Sequence, residues 1–291
     1  MTLEQLRIFV GVAEREHMTQ AAQALNVTQS AASAAIATLE AHHSVKLFNR
    51  VGRRIELTEA GRLLLREARA ILARADEAVR ALDDFSGLKR GTLKLIASHT
   101  IAGYWLPYHI AEFQARHPGI AIELSIANTE GASSRITEGA AELGFIEGRP
   151  DGTDLIPLIV ARDQMVLVSA QREKKIDKDW LCKARWIMRE QGSGTRSTFE
   201  EALRERKIDP ASLDIALTLP SNEAVRTAVE AGAGVAVLSA LVVERAVKAG
   251  LLHQLALPLP QRPFYGIRHK ERPLSRAAET LLALIAKRQR P

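Results

Sequence analysis

Several short runs of this 291-residue sequence gather donor groups at spacings that a fold could present together. Thr28-Gln29-Ser30, followed by Ser33, sets a carboxamide and hydroxyls on the first turns of a helical pattern. A Gln side chain can pair with an adenine edge through two hydrogen bonds, and Ser can bond bases or phosphates. Arg50, Arg53 and Arg54 flank Val51-Gly52, where guanidinium groups on a hairpin tip would suit phosphates or a narrow minor groove. Further on, Ser98-His99-Thr100 and Gly192-Ser193-Gly194-Thr195-Arg196 each follow an apolar run and precede a helical pattern. Such junctions offer free N–H groups, a positive dipole end and hydroxyl donors, which together cradle a small anion. Glu147 ends a third apolar run, Gly144-Phe145-Ile146. A carboxylate there would repel a fully ionised ligand and favour one carrying a proton or an amino group. The expected effector is a small oxyanion or carboxylate that offers a donor to Glu147. Pairing of Glu147 with Arg149 or another cation is an equally good use of that side chain.

These groups need elements to position them. Leu3, Leu6, Val10 and Ala13 have helical spacing, and a second short helix over Thr19–Ala24 takes Thr19 as its N-cap. Asn26 suits a left-handed turn, Val27 an apolar plug, and Thr28 the cap of a third helix whose inner face is Ala32, Ile36 and Leu39. Two short helices joined by a tight turn make a helix-turn-helix, whose second helix enters the major groove. Extended runs on either side of Val51-Gly52 make a wing. Leu64, Ala68, Ile71, Ala75, Ala78, Leu82 and Phe85 then follow a 4-3 alternation with no Pro or Gly between Gly61 and Gly87. That pattern predicts a long helix with an apolar seam whose simplest partner is a second copy.

Beyond Gly91 the pattern alternates strand and helix, which predicts α/β architecture with mostly parallel sheets. Strands are expected at Leu93–Ala97, Ile120–Ile126, Glu142–Ile146, Met165–Ser169, Trp186–Met188, Ile215–Leu219, Val235–Leu238 and Gly266–His269. Helices are expected at Ile101–His117, Glu130–Ala140, Arg196–Lys207, Ser221–Gly232 and Ala240–Ala249, with a last one begun by Pro273.

The run Thr28-Gln29-Ser30-Ala31-Ala32-Ser33, with Ile36, Leu39-Glu40, Leu47-Phe48-Asn49-Arg50, Arg53-Arg54 and Leu57-Thr58-Glu59-Ala60-Gly61, resembles the LysR-type transcriptional regulators. The resemblance assigns DNA contact to Thr28, Gln29, Ser30 and Ser33 on the recognition helix and to Arg50, Arg53 and Arg54 on the wing. It implies an α/β multidomain chain. A winged helix-turn-helix would occupy 1–58, a linker helix 59–88, and an effector domain resembling a periplasmic binding protein 89–291. Two α/β subdomains are implied within the last, 91–161 with 266–291 and 162–265, with crossings near Ala161 and Tyr265. Their cleft would hold the effector, against Ser98, His99, Thr100, Glu147, Gly194 and Thr195. Double-stranded operator DNA, a homodimer or homotetramer and a small-molecule effector are the implied partners, and RNA polymerase is a further candidate. The sequence departs from the family's habits at Ser30, often Pro, at Ala34, commonly long and polar or basic, and at His43-Ser44, often Leu-Gly.

Composition narrows the alternatives. The net charge of +6 resides in residues 261–291, with eight Arg or Lys against two Glu, whereas residues 1–60 are neutral. DNA binding is therefore argued from pattern and not from bulk charge. With Cys182 the sole cysteine, an internal disulfide is excluded, and a core thiol is the expected role. The longest nearly apolar stretch, Ala231–Val243, is too short to span a bilayer, and the N-terminus lacks a signal-peptide layout, so a cytoplasmic protein without membrane partners is expected. No cofactor motif emerges. Gly192–Arg196 lacks a P-loop lysine, and Gly232-Ala233-Gly234 precedes a strand where dinucleotide binding needs a helix. No enzyme is expected. The competing readings are a ligand-binding protein whose head serves only assembly, and an α/β enzyme.

Overall fold

Thr2 opens the first helix by reciprocal capping. Its hydroxyl accepts from the Gln5 amide at 3.2 Å, while Gln5 Oε1 accepts from the Thr2 amide at 2.9 Å. The computed structural model describes residues 1–51, 54–85, 90–150, 153–173 and 175–288. The chain divides into two units, Met1–Leu82 with Glu138–Ala140, and the remainder from Asp83.

In the first unit, α1 (Leu3–Arg15) ends on left-handed Glu16 and α2 spans Met18–Ala24. The cap of α2 is His17, not Thr19 as the sequence suggests: its Nδ1 accepts from the Gln20 amide at 3.4 Å, so the helix starts one residue earlier. Ala21, Ala22 and Ala32 are fully covered, and their small side chains let α2 and α3 (Gln29–His43) approach closely over Leu6, Phe9, Val12, Ile36 and Leu39. Asn26 takes the left-handed conformation, φ 53°, that the tight turn requires. Thr28 caps α3, accepting from the Ala31 amide at 3.1 Å. The chain then forms the hairpin β1 (Phe48–Val51) and β2 (Arg54–Leu57), paired from Phe48↔Leu57 to Val51↔Arg54.

Two polar side chains fix the hairpin to the helices. Glu40 Oε1 accepts from the Leu47 and Phe48 amides at 2.9 and 3.4 Å, and its Oε2 meets Lys46 Nζ at 2.6 Å. Burial raises the Glu40 pKa, but the bonds from Lys46 and the two amides outweigh it and leave the carboxyl below its ordinary value. Thr58 donates to the Lys46 carbonyl and accepts from the Gly61 amide at the start of α4 (Glu59–Phe85). Gly61 is obligatory at this crossing, since a Cβ there would lie 2.1 Å from the Leu47 carbonyl oxygen.

The seam of α4 is divided. Leu64 and Ala68 are covered by the head's own core, with Leu65 and Leu72 beside them. Ile71 and Leu82 of the seam are exposed, Leu82 by 72%, as is Val79 beside it.

In the second unit one sheet runs in the order β4-β3-β5-β11-β6-β9-β7-β8, with β10 on β6. The strands are β3 (Gly91–Ser98), β4 (Ile120–Ala127), β5 (Leu143–Glu147), β6 (Leu155–Ser169), β7 (Arg185–Arg189), β8 (Asp214–Leu219), β9 (Val235–Ser239), β10 (His253–Leu255) and β11 (Gln261–His269). β3, β4 and β5 are parallel, as are β7, β8 and β9. β11 runs antiparallel along its whole length to Leu155–Gln164 of β6, and the rest of β6 pairs with β9, so the two strands link the halves, with a bulge at Phe264/Tyr265 opposite Ile159 and Ala161. Both are longer than their patterns suggest, β6 by ten residues and β11 by five, because Pro157 and Pro263 disguise them.

Helices cover the sheet: α5 (His99–Tyr104), α6 (Leu106–Arg116), α7 (Thr129–Thr137), α8 (Lys178–Lys183), α9 (Gly194–Glu205), α10 (Asn222–Glu230), α11 (Ala240–Lys248) and α12 (Arg276–Arg288). The single helix expected over Ile101–His117 breaks at Trp105, where Pro107 has no N–H to continue the ladder. The last helix starts at Arg276 and buries Ala278, Leu281 and Ile285, while Pro273 and Leu274 precede it. Cys182 packs beside the Trp186 core. No helix among the described residues is long and apolar enough to cross a membrane.

Candidate nucleic-acid interface and ligand cleft

At the head, Gln29, Ser30 and Ser33 are exposed on the first turns of α3, where unpaired amide groups and the positive dipole end face outward. Thr28 and Ser30 share a hydroxyl–hydroxyl bond of 3.0 Å. Gln29, Ser33 and Arg50 line one groove of about 570 Å³ with His17, Thr19 and Lys46. The recognition helix and the first wing strand are therefore brought together as the sequence suggests. His17, Thr19 and Lys46 were missed. For His17 and Thr19 the signal is the start of α2, which opens on the same groove as the start of α3, whereas Lys46 lies in the turn between α3 and β1. Arg53 lies outside the described residues, and the Arg54 backbone is in β2.

In the second unit, parallel strand ends carry the other candidates. Ser98 ends β3, Glu147 ends β5, and Gly194 and Thr195 open α9 after β7. Ser98, Thr100, Glu147 and Thr195 are each at most 1% exposed. Thr100 Oγ1 donates to Glu147 Oε1 at 3.0 Å and accepts from Asn222 Nδ2 at 2.9 Å. The Thr195 hydroxyl reaches the same Glu147 oxygen at 3.5 Å. Gly194 lies where a Cβ would come within 2.2 Å of the Glu147 carbonyl oxygen, so only glycine lets α9 approach β5 this closely. His99 is half-buried, and burial and then Arg189 depress its pKa against the pull of Glu190, Glu223 and Glu147, which favours the neutral imidazole.

The sequence reading missed the groups that complete this network. Arg262, on β11, donates from Nη1 to Thr195 Oγ1 at 3.1 Å and stands 3.8 Å from Glu147 Oε1. Its other edge grips Asp163 on β6, at 2.9 Å from Nε and 2.8 Å from Nη2. Ser239 donates to the second Asp163 oxygen at 2.7 Å. Burial raises the Asp163 pKa, and Arg262 and Ser239 pull against that rise. Arg189 donates to Asn222 Oδ1 at 2.5 Å and pairs with Glu190 at 2.7 Å. Asn222 had a readable signal, since Ser221-Asn222 repeats the strand-end, hydroxyl, helix pattern of the other two runs. Arg262 and Asp163 had none, because only the β6/β11 register makes them neighbours.

Glu147 thus pairs with Arg262 and not with Arg149. Two buried carboxyls share that one guanidinium. Glu147 Oε2 and Ser98 Oγ are buried without a hydrogen-bond partner among the described residues. Unsatisfied buried oxygens of this kind are costly and call for a donor. Tyr104 donates to Glu223 at 3.0 Å, and Trp105 packs on Phe145 and Phe264, so neither forms a wall of this network.

Residues 3–62 match the bacterial regulatory helix-turn-helix protein, lysR family, and residues 86–290 match the LysR substrate binding domain. The chain is 34% identical over 288 residues to "Uncharacterized HTH-type transcriptional regulator YeiE" of Escherichia coli (strain K12), covering 97% of this chain and 96% of that one. It is 33% identical over 289 residues to "HTH-type transcriptional activator CmpR" of a Synechocystis strain, covering 97% and 93%. Full-length CbnR complexed with its target DNA has the same fold, with a TM-score of 0.69 at 21% identity over 99% of each chain. The Synechocystis CcmR regulatory domain in complex with 2-PG matches with a TM-score of 0.62 at 25% identity, over 69% of this chain and 99% of that one. The chain belongs to the LysR family of DNA-binding transcription regulators, a helix-turn-helix head joined to an effector-binding domain, and is not an enzyme.

Proposed function

We propose that this regulator binds a partly symmetric operator as a homodimer or homotetramer, and that a small oxyanion or carboxylate in the cleft, offering a donor to Glu147, modulates that binding. In this reading Gln29, Ser30 and Ser33 read base edges, Thr28 orients the helix start, and Arg50, Arg53 and Arg54 hold phosphates. Copies associate through the exposed half of the α4 seam, Ile71 and Leu82, with Val79 beside it. The carrying observation for the effector is that Glu147 Oε2 and the Ser98 hydroxyl are buried without a hydrogen-bond partner among the described residues, at strand ends where the Thr100 and Thr195 hydroxyls, one from each half, reach Glu147 Oε1. A regulatory domain of similar fold that is solved with 2-PG supports a small-molecule ligand. Effector and operator then couple reciprocally, each changing the other's affinity by the same factor.

The test is a thermal-shift screen of the full chain against small oxyanions, carboxylates and amino acids. A ligand at about a hundred times its Kd adds about 2.7 kcal/mol of stability. A hit lost in Thr100→Ala and Thr195→Ala supports the cleft. Silence across the panel sinks the small-anion assignment, as would a ligand preference unchanged in Glu147→Ala.

A further inference from the structure

The outward face of α3 carries few kinds of group. Gln29, Ser33 and Ala37 form one row at a spacing of four residues, and Ser30, Ala34 and Thr38 form the next. All of them are exposed. The Thr38 hydroxyl is turned back onto the helix, where it donates to the Ala34 carbonyl at 2.8 Å. The rows therefore offer a neighbouring molecule one carboxamide, the hydroxyls of Ser30 and Ser33, and the methyl groups of Ala34 and Ala37. Ala37 lines the groove that α3 shares with Arg50 of the wing.

No Lys or Arg occurs on α3. Glu40, its only acid, is turned to the Leu47 and Phe48 amides, and His42 and His43 stack on each other in the last turn, rings 4.7 Å apart. Of the cations beside the helix, Lys46 is held on Glu40 at 2.6 Å and Arg50 stands on the wing strand. In the major groove guanine is read chiefly by a bidentate Arg or Lys on O6 and N7. Adenine is read by Gln or Asn on N6 and N7, and thymine by apolar contact with its C5 methyl. The side chains of α3 supply the means for adenine and thymine and lack the means for guanine.

We infer that α3 reads A·T pairs and no guanine: Gln29 takes an adenine edge, while Ala34 and Ala37 take the C5 methyls of two thymines and are specificity-determining residues. This rests on the operator-binding reading above and adds the base pairs that the helix distinguishes. Neither alanine reaches beyond Cβ, so the helix backbone seats close to the base edges. A methyl-to-methyl contact, at about 4 Å, needs that approach.

The experiment starts from the duplex that the full chain selects from a random-sequence pool. Each thymine of a half-site is replaced in turn by deoxyuridine, which pairs alike but lacks the methyl, and each guanine by 7-deazaguanine, which lacks N7. Deoxyuridine is expected to weaken binding about fourfold at two positions per half-site, the worth of one buried methyl at each. 7-Deazaguanine within the half-site is expected to leave binding unchanged. In Ala34→Gly one of the two deoxyuridine effects disappears and the other remains. A second selection uses Ala34→Arg, a good helix former at an exposed position, and is expected to place guanine where one thymine stood. Deoxyuridine without effect throughout the half-site overturns the inference alone. So does a loss of about tenfold with 7-deazaguanine, or an Ala34→Arg selection that keeps thymine. A chain that enriches no duplex overturns the operator-binding reading and the inference with it.

Discussion

Replacing Arg262 by Met tests the buried network directly. Arg262 stands 2.8 Å from Asp163 and 3.8 Å from Glu147, and its guanidinium is 2% exposed. Methionine keeps much of the volume but leaves two buried carboxyls without their cation and Thr195 without its donor. Removing one partner of a buried pair costs about 3–5 kcal/mol, mostly as the penalty on the charge left behind. The loss should depend on pH. Without Arg262, the upward push of burial on the Asp163 pKa loses its main counterweight. A carboxyl whose folded pKa is raised binds more protons folded than unfolded. It therefore contributes most stability below its unfolded pKa and loses that contribution as pH rises through the folded value. Urea unfolding of the chain at pH 5 and pH 8 should show the smaller deficit at pH 5. Asp163→Asn in the Arg262→Met background should restore part of the loss. A deficit below about 1 kcal/mol, equal at both pH values, would refute the reasoning.

Glu40→Ala leaves the Leu47 and Phe48 amides without their acceptor and should cost the head about 1–3 kcal/mol, read as a lowered urea midpoint of the helix-turn-helix. Because the folded pKa of Glu40 is depressed, its contribution is present above the ordinary carboxylate range and lost as pH falls through the folded value, so wild type and variant should converge in acid. Leu82→Glu places a charge on the exposed half of the α4 seam and should shift the sedimentation profile toward smaller species. An unchanged profile would move self-association elsewhere.

What could be read from the sequence was what is local. Thr28, Asn26 and the alanines of α2 and α3 act on neighbours within a few residues, and each stands where its type requires. The cap of α2 is His17 and not Thr19 because an imidazole nitrogen, like a hydroxyl, can accept a first-turn amide, here that of Gln20. β6 and β11 were foreshortened because each carries a proline in a strand that happens to tolerate it. The seam of α4 was legible as a pattern, but not its division, since only packing shows that Leu64 and Ala68 face their own head. Thr100, Gly194 and Thr195, legible as small residues at strand-to-helix junctions, converge on Glu147. Arg262 and Asp163 lie 99 residues apart and signal nothing until their strands pair.

The most direct test of the central claim is selection of duplexes from a random-sequence pool by the full chain, followed by a salt titration of the selected site. The account predicts enrichment of a partly symmetric site whose affinity falls steeply with salt, with the slope reduced by about one on Arg50→Ala. Gln29→Ala should cost about 1–3 kcal/mol and relax preference at one base position per half-site. No enrichment, or equal affinity for selected and scrambled duplexes at every salt concentration, would contradict it.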